Sequence, residues 1–276
     1  MKVALCVIGR LENRYAIEFV EYYKKLGIDH IYIGDNNNDG EEYFEDVLQS
    51  YIDGKYVTII GIRNSPNTQE YYYSWFYDVY HNIYDYIIYV DFDEYLTLVK
   101  DKTIKEYLSR NVNNYDIIKL NWMLYTDNDL IYDDGRPCLE RFTEPMYLYN
   151  SVSVEFPENC HIKSIIRCKF NKILFDGPHM LDTSYLTSGY KICNGSFKET
   201  NDLFYEYNID YSLAYIKHFF TKTIDEYVNI KKIRGTIEGG QEDFNRRYKG
   251  RFFKVNKLTP EKEKYCLEHN IDINLL

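Results

Sequence analysis

Nowhere does the 276-residue sequence approach the roughly 20 consecutive apolar residues that a bilayer-crossing helix requires. The N-terminal MKVALCVIGRLENRY has an apolar run of only about six residues before charges begin, so it lacks the long apolar core of a secretory signal. Six cysteines are present, Cys6, Cys138, Cys160, Cys168, Cys193 and Cys266, but no CxxC pair, so a zinc site is not indicated. Buried free thiols in a reducing compartment are expected instead. A basic excess is missing as well: the formal charge is -10, whereas a general nucleic-acid binder needs clustered Lys and Arg to neutralise phosphates. That balance still allows a local basic site for one diphosphate. Internal repeats and low-complexity linkers are also absent. These absences predict a cytoplasmic protein with no nucleic-acid partner, able to rest peripherally on the inner face of a membrane.

What is present is an ordinary globular composition, 45% hydrophobic and 28% charged, long enough to bury a sizeable core. The unusual abundance is of tyrosine, 31 in all. A ring with a polar tip suits carbohydrate faces, although a codon-biased genome produces the same excess. KVALCVIG predicts a buried strand, and ENRYAIEFVEYYKKLG changes to a helical period, with Ala16, Phe19, Val20, Tyr23 and Leu26 on one face and Gly27 as its stop. Strand and helix then alternate through IDHIYIGDNNNDG, EEYFEDVLQSYI, YVTIIGI, TQEYYYSWFYDVYHNIY and DYIIYVDFDEYL, a pattern that predicts a parallel sheet with right-handed crossovers. TIKEYLSRN and TIDEYVNIKKIRG open with capping boxes at Thr103/Glu106 and Thr223/Glu226, and TPEKEKYCLEHN has Thr259 as N-cap with Pro260 first in the helix. Between Thr126 and about Asn159 the pattern weakens into a long polar loop, of the kind that often serves as a lid or acceptor loop.

The fourth strand carries the chemistry. YDYIIYVDFDEYLTL places Asp91, Asp93 and Glu94 at the end of an apolar run, and carboxylates this close repel unless a cation, a proton or solvent offsets them. In an extended segment residues i and i+2 share a side, so Asp91 and Asp93 are expected to face one pocket, with Phe92 turned to the core and Glu94 pointing away. Oxygen ligands of this kind suit Mg2+ or Mn2+, which hold a diphosphate with few protein ligands. A solvated acidic turn is the plain alternative. Ligands of open α/β sheets sit beyond the carboxyl ends of the strands, where GDNNNDG and DFDE both lie.

Several strings now act together: ENRYAIEFVEYYKKLGIDHIYIGDNNNDG, Gln69 before the third helix, YIIYVDFDEYL, KLNWMLY, LERF, KSIIR followed by GPHML, and YIKHFFTKTIDEYVNIKKIRG. In this order, over roughly residues 1 to 236, they resemble the metal-dependent glycosyltransferases of the GT-A fold, most closely family 92 and the family-2-like bacterial enzymes of capsule and surface-polysaccharide synthesis. The resemblance implies a Rossmann-like α/β fold, with a mostly parallel central sheet flanked by helices and a helical C-terminal extension. It also implies a UDP-sugar donor with Mn2+ or Mg2+ bridging its diphosphate to the DxD carboxylates, galactose as the sugar, and a glycan or lipid-linked glycan as acceptor. Carried over by position, Asp93 is the direct metal ligand and Asp91 contacts the ribose or a metal-bound water. Asp35, Arg10 and Gln69 line the nucleotide pocket, Asp35 having loop capping in an Asn-rich turn as its alternative role. His179 and His218 fall on the family's histidine positions as metal or diphosphate contacts. Lys222, Lys231, Lys232 and Arg234 could offset leaving-group charge.

An inverting transfer needs a carboxylate base beyond the DxD strand, for which Asp127, Asp129 and Glu140 are the candidates. NWMLYTDND departs from the family by lacking the FG that often follows the tryptophan, and Trp122 suits either sugar stacking or the core. The whole chain, residues 1–276, is expected to form a single domain. Residues 1–100 would be its nucleotide-sugar half, 101–222 its acceptor side and 223–276 its C-terminal helices. Two other functions compete. A haloacid-dehalogenase-like phosphatase also places DxD after an apolar strand, but expects Thr or Val where this chain has Tyr95. A non-catalytic glycan-binding protein would use the tyrosines. A nucleotidyltransferase fits less well, because no Gly-rich basic loop follows the first strand.

Overall fold

The computed structural model describes residues 1–146, 157–179, 181–182, 184, 186, 189–201, 205–236 and 239–276. β1 (Val3–Gly9) is buried along its whole length, as a strand covered on both faces must be. In α1 (Asn13–Lys25) the residues Ala16, Phe19, Val20 and Tyr23 form the buried face, and Leu26 closes it. Gly27 then stops the helix with φ of 89°, a conformation that costs an L-residue with a Cβ. The alternation continues through β2 (His30–Asp35), α2 (Glu45–Asp53), β3 (Val57–Gly61), α3 (Gln69–Tyr80) and β4 (Tyr86–Asp91). After β5 (Glu94–Leu98) come α4 (Ile104–Ser109), β6 (Ile117–Leu124), α5 (Cys138–Arg141), β7 (Ile162–Arg167), the short pair β8 (Leu174–Phe175) and β9 (Leu181–Asp182), β10 (Ile192–Asn194) and β11 (Ala214–His218). The rest is helical: α6 (Ile224–Glu226), a π-helical turn (Tyr227–Lys231), α7 (Lys232–Arg234), α8 (Gly240–Arg247), α9 (Phe252–Val255) and α10 (Pro260–Glu268).

Among the described residues the main sheet runs β3-β2-β1-β4-β7-β6-β11-β5, with β10 beside β6. β3, β2, β1 and β4 are mutually parallel, while β7 runs antiparallel to both β4 and β6. The expected mixed α/β architecture, mostly parallel sheet, flanking helices and helical C-terminal part are therefore present. The predicted N-caps are present too: Thr103 and Thr259 accept from the backbone three residues on, and Thr223 with Glu226 forms a reciprocal capping box, whereas at Thr103 the expected box does not close because the Glu106 carboxylate takes the Lys102 N–H instead. The six cysteines are free, all but Cys168 fully buried.

One element differs from its sequence reading. The fourth strand does not run through DFDE: it ends at Asp91, Phe92 and Asp93 make a turn, and β5 starts at Glu94. The turn lets the Phe92 ring stack on Phe44, with centroids 5.2 Å apart and planes within 8°, and pack on Phe19 at 4.7 Å. Gly9 makes room for it, because a Cβ there would stand 2.5 Å from the Phe92 ring. Gly9→Ala is therefore expected to lower stability by about 1–3 kcal/mol through overpacking. Thermal unfolding measures this, and an unchanged melting temperature would contradict it.

The chain forms two compact units, Met1–Trp122 with Val152–Lys217, and Met123–Ser151 with His218–Leu276. The first holds the sheet. The second has its own core of Ile224, Tyr227, Phe244, Phe252, Tyr265, Cys266 and Leu276. Of the predicted acceptor loop, α5 lies in the second unit, and residues 147–156 lie outside the described residues.

Candidate active site

Register brings the nucleotide-pocket candidates to one edge of the first unit. Gly9, which precedes Arg10, lies opposite Asp35; Asp35 lies opposite Gly61; and Asp91 lies opposite Ile8. With strands about 4.8 Å apart, the backbones of Asp35 and Asp91 stand roughly 10 Å from each other across β1. This is the carboxyl end of the parallel strands, where such sheets bind ligands.

The Asp91 carboxylate is held from two sides. Gln69, the first residue of α3, donates Nε2–H to Oδ1 at 2.9 Å and to Tyr73 Oη at 3.0 Å, and Tyr73 Oη lies 3.3 Å from the same Oδ1. From β7, Lys163 donates Nζ–H to Oδ2 at 2.7 Å. The same ammonium stands 3.7 Å from Glu94 Oε2, which accepts the Asp91 backbone N–H at 2.8 Å. Glu94 therefore does not point away from the aspartates. Because the chain turns at Phe92 and Asp93, the two-residue alternation of a strand no longer applies, and Glu94 folds back under Asp91. Burial pushes the Glu94 carboxyl well above its usual value, with Lys163 opposing it. Burial alone would depress the Lys163 ammonium, yet Asp91 and Glu94 hold it above the normal lysine value. Asp93 occupies the turn itself and is 5% exposed.

At the end of β2, Asp35 Oδ1 accepts from the Asn37 backbone N–H at 3.0 Å and its amide at 2.7 Å, and Oδ2 accepts from Arg63 Nη1 at 2.6 Å. Arg63 also donates to Glu42 O at 3.0 Å and lies over the Tyr43 ring at 4.1 Å. The loop-shaping role weighed for Asp35 is thus plainly visible in its hydrogen bonds. Arg10 forks onto Glu41 through Nε and Nη2, at 2.8 and 2.5 Å. His179 sits by the start of β7, its Nδ1 2.9 Å from Ile162 O. Its ring meets those of Trp122 and His161 at 4.9 and 5.3 Å, and Trp122 stacks on His161 at 4.8 Å.

The other candidates belong to the second unit. Asp127 is buried, with Lys262 Nζ 2.7 Å from Oδ2 and 2.9 Å from Oδ1, and the same ammonium reaches Asp129 at 3.0 Å. Burial raises the Asp127 carboxyl while Lys262 pulls it down. Glu140 lies on α5, beside Arg141. His218 and Lys222 are buried, and Lys232 and Arg234 form the last turn of α7, after Lys231 has donated to Phe220 O at 2.5 Å.

Lys163, Arg63 and Glu94 went unassigned or misassigned from sequence. A signal existed for the first: a lysine inside the apolar strand HIKSIIR must find carboxylate partners if it is buried. No group of three or more His, Cys, Asp or Glu side chains able to hold a metal occurs among the described residues.

Comparison with known proteins agrees with the sequence resemblance. No curated protein matches the chain by sequence. Among solved structures it is similar to S. aureus TarS 1-349 in complex with UDP-GlcNAc, with 11% identity, a TM-score of 0.47, and 95% of this chain and 78% of that one covered. S. aureus TarS 1-349 in complex with UDP gives 12% identity and 0.43 over 96% and 78%. CMP:2-keto-3-deoxy-manno-octonic acid synthetase complexed with CTP gives 14% and 0.31 over 61% and 75%. The family assignment rests on none of these neighbours. It rests on the model of glycosyltransferase family 92, which matches residues 2–232 and leaves no place for the phosphatase and non-catalytic readings. The chain belongs to glycosyltransferase family 92, and it is a nucleotide-sugar-dependent glycosyltransferase.

Proposed function

We propose that this enzyme is a metal-dependent, inverting glycosyltransferase that moves a sugar, with galactose the first candidate, from a UDP-linked donor to a glycan or lipid-linked glycan in surface-polysaccharide synthesis. The observation that carries the reading is the acidic turn Asp91–Glu94 at the carboxyl end of β4, anchored by Gln69 and Lys163, at the same end of the sheet as Asp35, which closes β2, and Arg10, which follows β1. In this reading residues 1–100 form the nucleotide-sugar half and residues 101–222 the acceptor side.

Asp93 would hold Mn2+ or Mg2+ together with the diphosphate, and such an ion would offset the charge of the leaving group. The chain's own residues do the positioning. Gln69 and Lys163 fix the Asp91 carboxylate, which limits its rotation before the donor arrives. Arg63 and Asp35 shape the Asn-rich loop that borders the nucleotide. The Trp122, His161 and His179 rings provide an aromatic wall where β6 ends and β7 begins. The catalytic power assigned to this site is orientation and charge stabilisation, with no covalent enzyme intermediate.

Calorimetric titration with UDP tests the reading. Binding is expected with Mn2+ present and is lost with Mn2+ omitted or in Asp93→Ala. Binding that ignores the metal and survives Asp93→Ala would overturn it.

A further inference from the structure

One stretch of the second unit runs against the charge of the chain. From Phe244 to Leu258 six of fifteen residues are Lys or Arg and none is Asp or Glu, in a protein of formal charge -10. Its large aromatic residues turn inward: the Tyr227 ring meets Phe244 of α8 at 5.6 Å and Phe252 of α9 at 5.1 Å, so both short helices rest on one core partner. Arg246, Arg247, Lys249, Lys254 and Lys257 are left exposed on the outside of that core, with Arg251 partly exposed among them. Asp243 takes up Arg246 and Arg247 together, at 2.6 and 2.9 Å, so one carboxylate serves two guanidinium groups and a positive excess remains. Apolar surface lies between the charges. Leu258 is 45% exposed, and Tyr248 and Phe253 are only partly buried.

We propose that the outer side of residues 244–258 is a docking surface for an anionic lipid bilayer. Negative headgroups attract clustered Lys and Arg over about a Debye length, and each basic side chain close to such a surface contributes roughly fivefold in affinity. Leu258 and the partly exposed rings of Tyr248 and Phe253 suit the boundary below the headgroups, which accepts an apolar body with a polar tip. A soluble polyanion would use the charges but gain nothing from Leu258. The rest of the chain is acidic on balance and is repelled by the same headgroups, so the attraction orients the protein with this stretch toward the lipid. None of these residues holds donor or acceptor in the reading above, and lipid binding stands or falls separately from it.

The test is flotation of the full chain with vesicles of phosphatidylcholine mixed with phosphatidylglycerol, and with vesicles of phosphatidylcholine alone. The wild type is expected to float with the mixed vesicles only, and less as salt is raised. Lys249→Gln/Lys254→Gln/Lys257→Gln is expected to weaken that binding by about 100-fold with an unchanged thermal melt, since three surface charges have gone and no core contact has. Lys25→Gln/Lys55→Gln/Lys102→Gln removes three exposed lysines of the first unit and is expected to bind as the wild type does. A wild type that floats with neither vesicle, or with both alike, would overturn the proposal. So would equal losses in the two triple variants, which would reduce the effect to net charge. Capture of the wild type by soluble polyphosphate but not by the mixed vesicles would give the surface to a dissolved polyanion and reject the bilayer.

Discussion

Asp93→Asn is expected to abolish sugar transfer while leaving the protein folded. The residue sits in the turn between β4 and β5, and the amide is close in size to the carboxylate, so the Phe92 ring keeps its place against Phe44. What disappears is the negative oxygen through which the site would hold a divalent ion. Loss of an outer-shell metal partner typically costs 10–100-fold, so loss of the direct ligand is expected to exceed about 100-fold in turnover. Transfer or hydrolysis of UDP-galactose, followed by a panel of other UDP-sugars, measures it, with a thermal melt alongside. Asp91→Asn provides the contrast. It breaks the ion pair with buried Lys163 and should lower the melting temperature as well as activity. An Asp93→Asn enzyme with near-normal turnover would remove the metal role from the turn.

The largest stability effect is expected at Arg141, in the second unit. Its guanidinium forks onto Glu226, Nη1 to Oε2 at 2.8 Å and Nη2 to Oε1 at 3.2 Å, and Nη1 lies 3.1 Å from Asp133. Glu226 in turn accepts from Thr223 Oγ1 at 2.8 Å and from its N–H at 3.2 Å, closing the capping box at the start of α6. Both partners are buried. Arg141→Ala leaves a buried carboxylate without its cation, a change that costs about 3–5 kcal/mol. Arg141→Met/Glu226→Gln, which removes both charges, should recover much of that loss. Chemical denaturation distinguishes the two, and equal stability of Arg141→Ala and the wild type would show the pair to be energetically idle. Arg141 lies in LERF and Glu226 in TIDEYVNIKKIRG, so two strings that entered as parts of a resemblance meet as one ion pair.

Much of this was visible in the linear sequence, and the pattern of success has a cause. The buried face of α1, the stop at Gly27 and the N-caps at Thr103, Thr223 and Thr259 are set by residues within a turn or two of one another, and local periodicity reports such features. The acidic cluster was equally plain, since three carboxylates after an apolar run need no partner to be noticed. Its internal geometry was not. The alternation argument holds for extended chain only, and the turn at Phe92 and Asp93 reversed the direction expected for Glu94. Asp127 shows the same limit. Its partner, the buried ammonium of Lys262, lies 135 residues further on, where no local pattern announces it.

The sequence by itself determined the family, the α/β alternation, several helix caps and the strand end where the acidic residues gather. Only the tertiary structure decided which of those carboxylates are already held: Asp91 and Glu94 by Lys163, which is 72 residues from Asp91, Asp35 by Arg63, and Asp127 by Lys262. The reason is range. Periodicity and capping act over a few residues, whereas an ion pair is fixed by strand register and by burial, which strips away the water that would otherwise satisfy each charge.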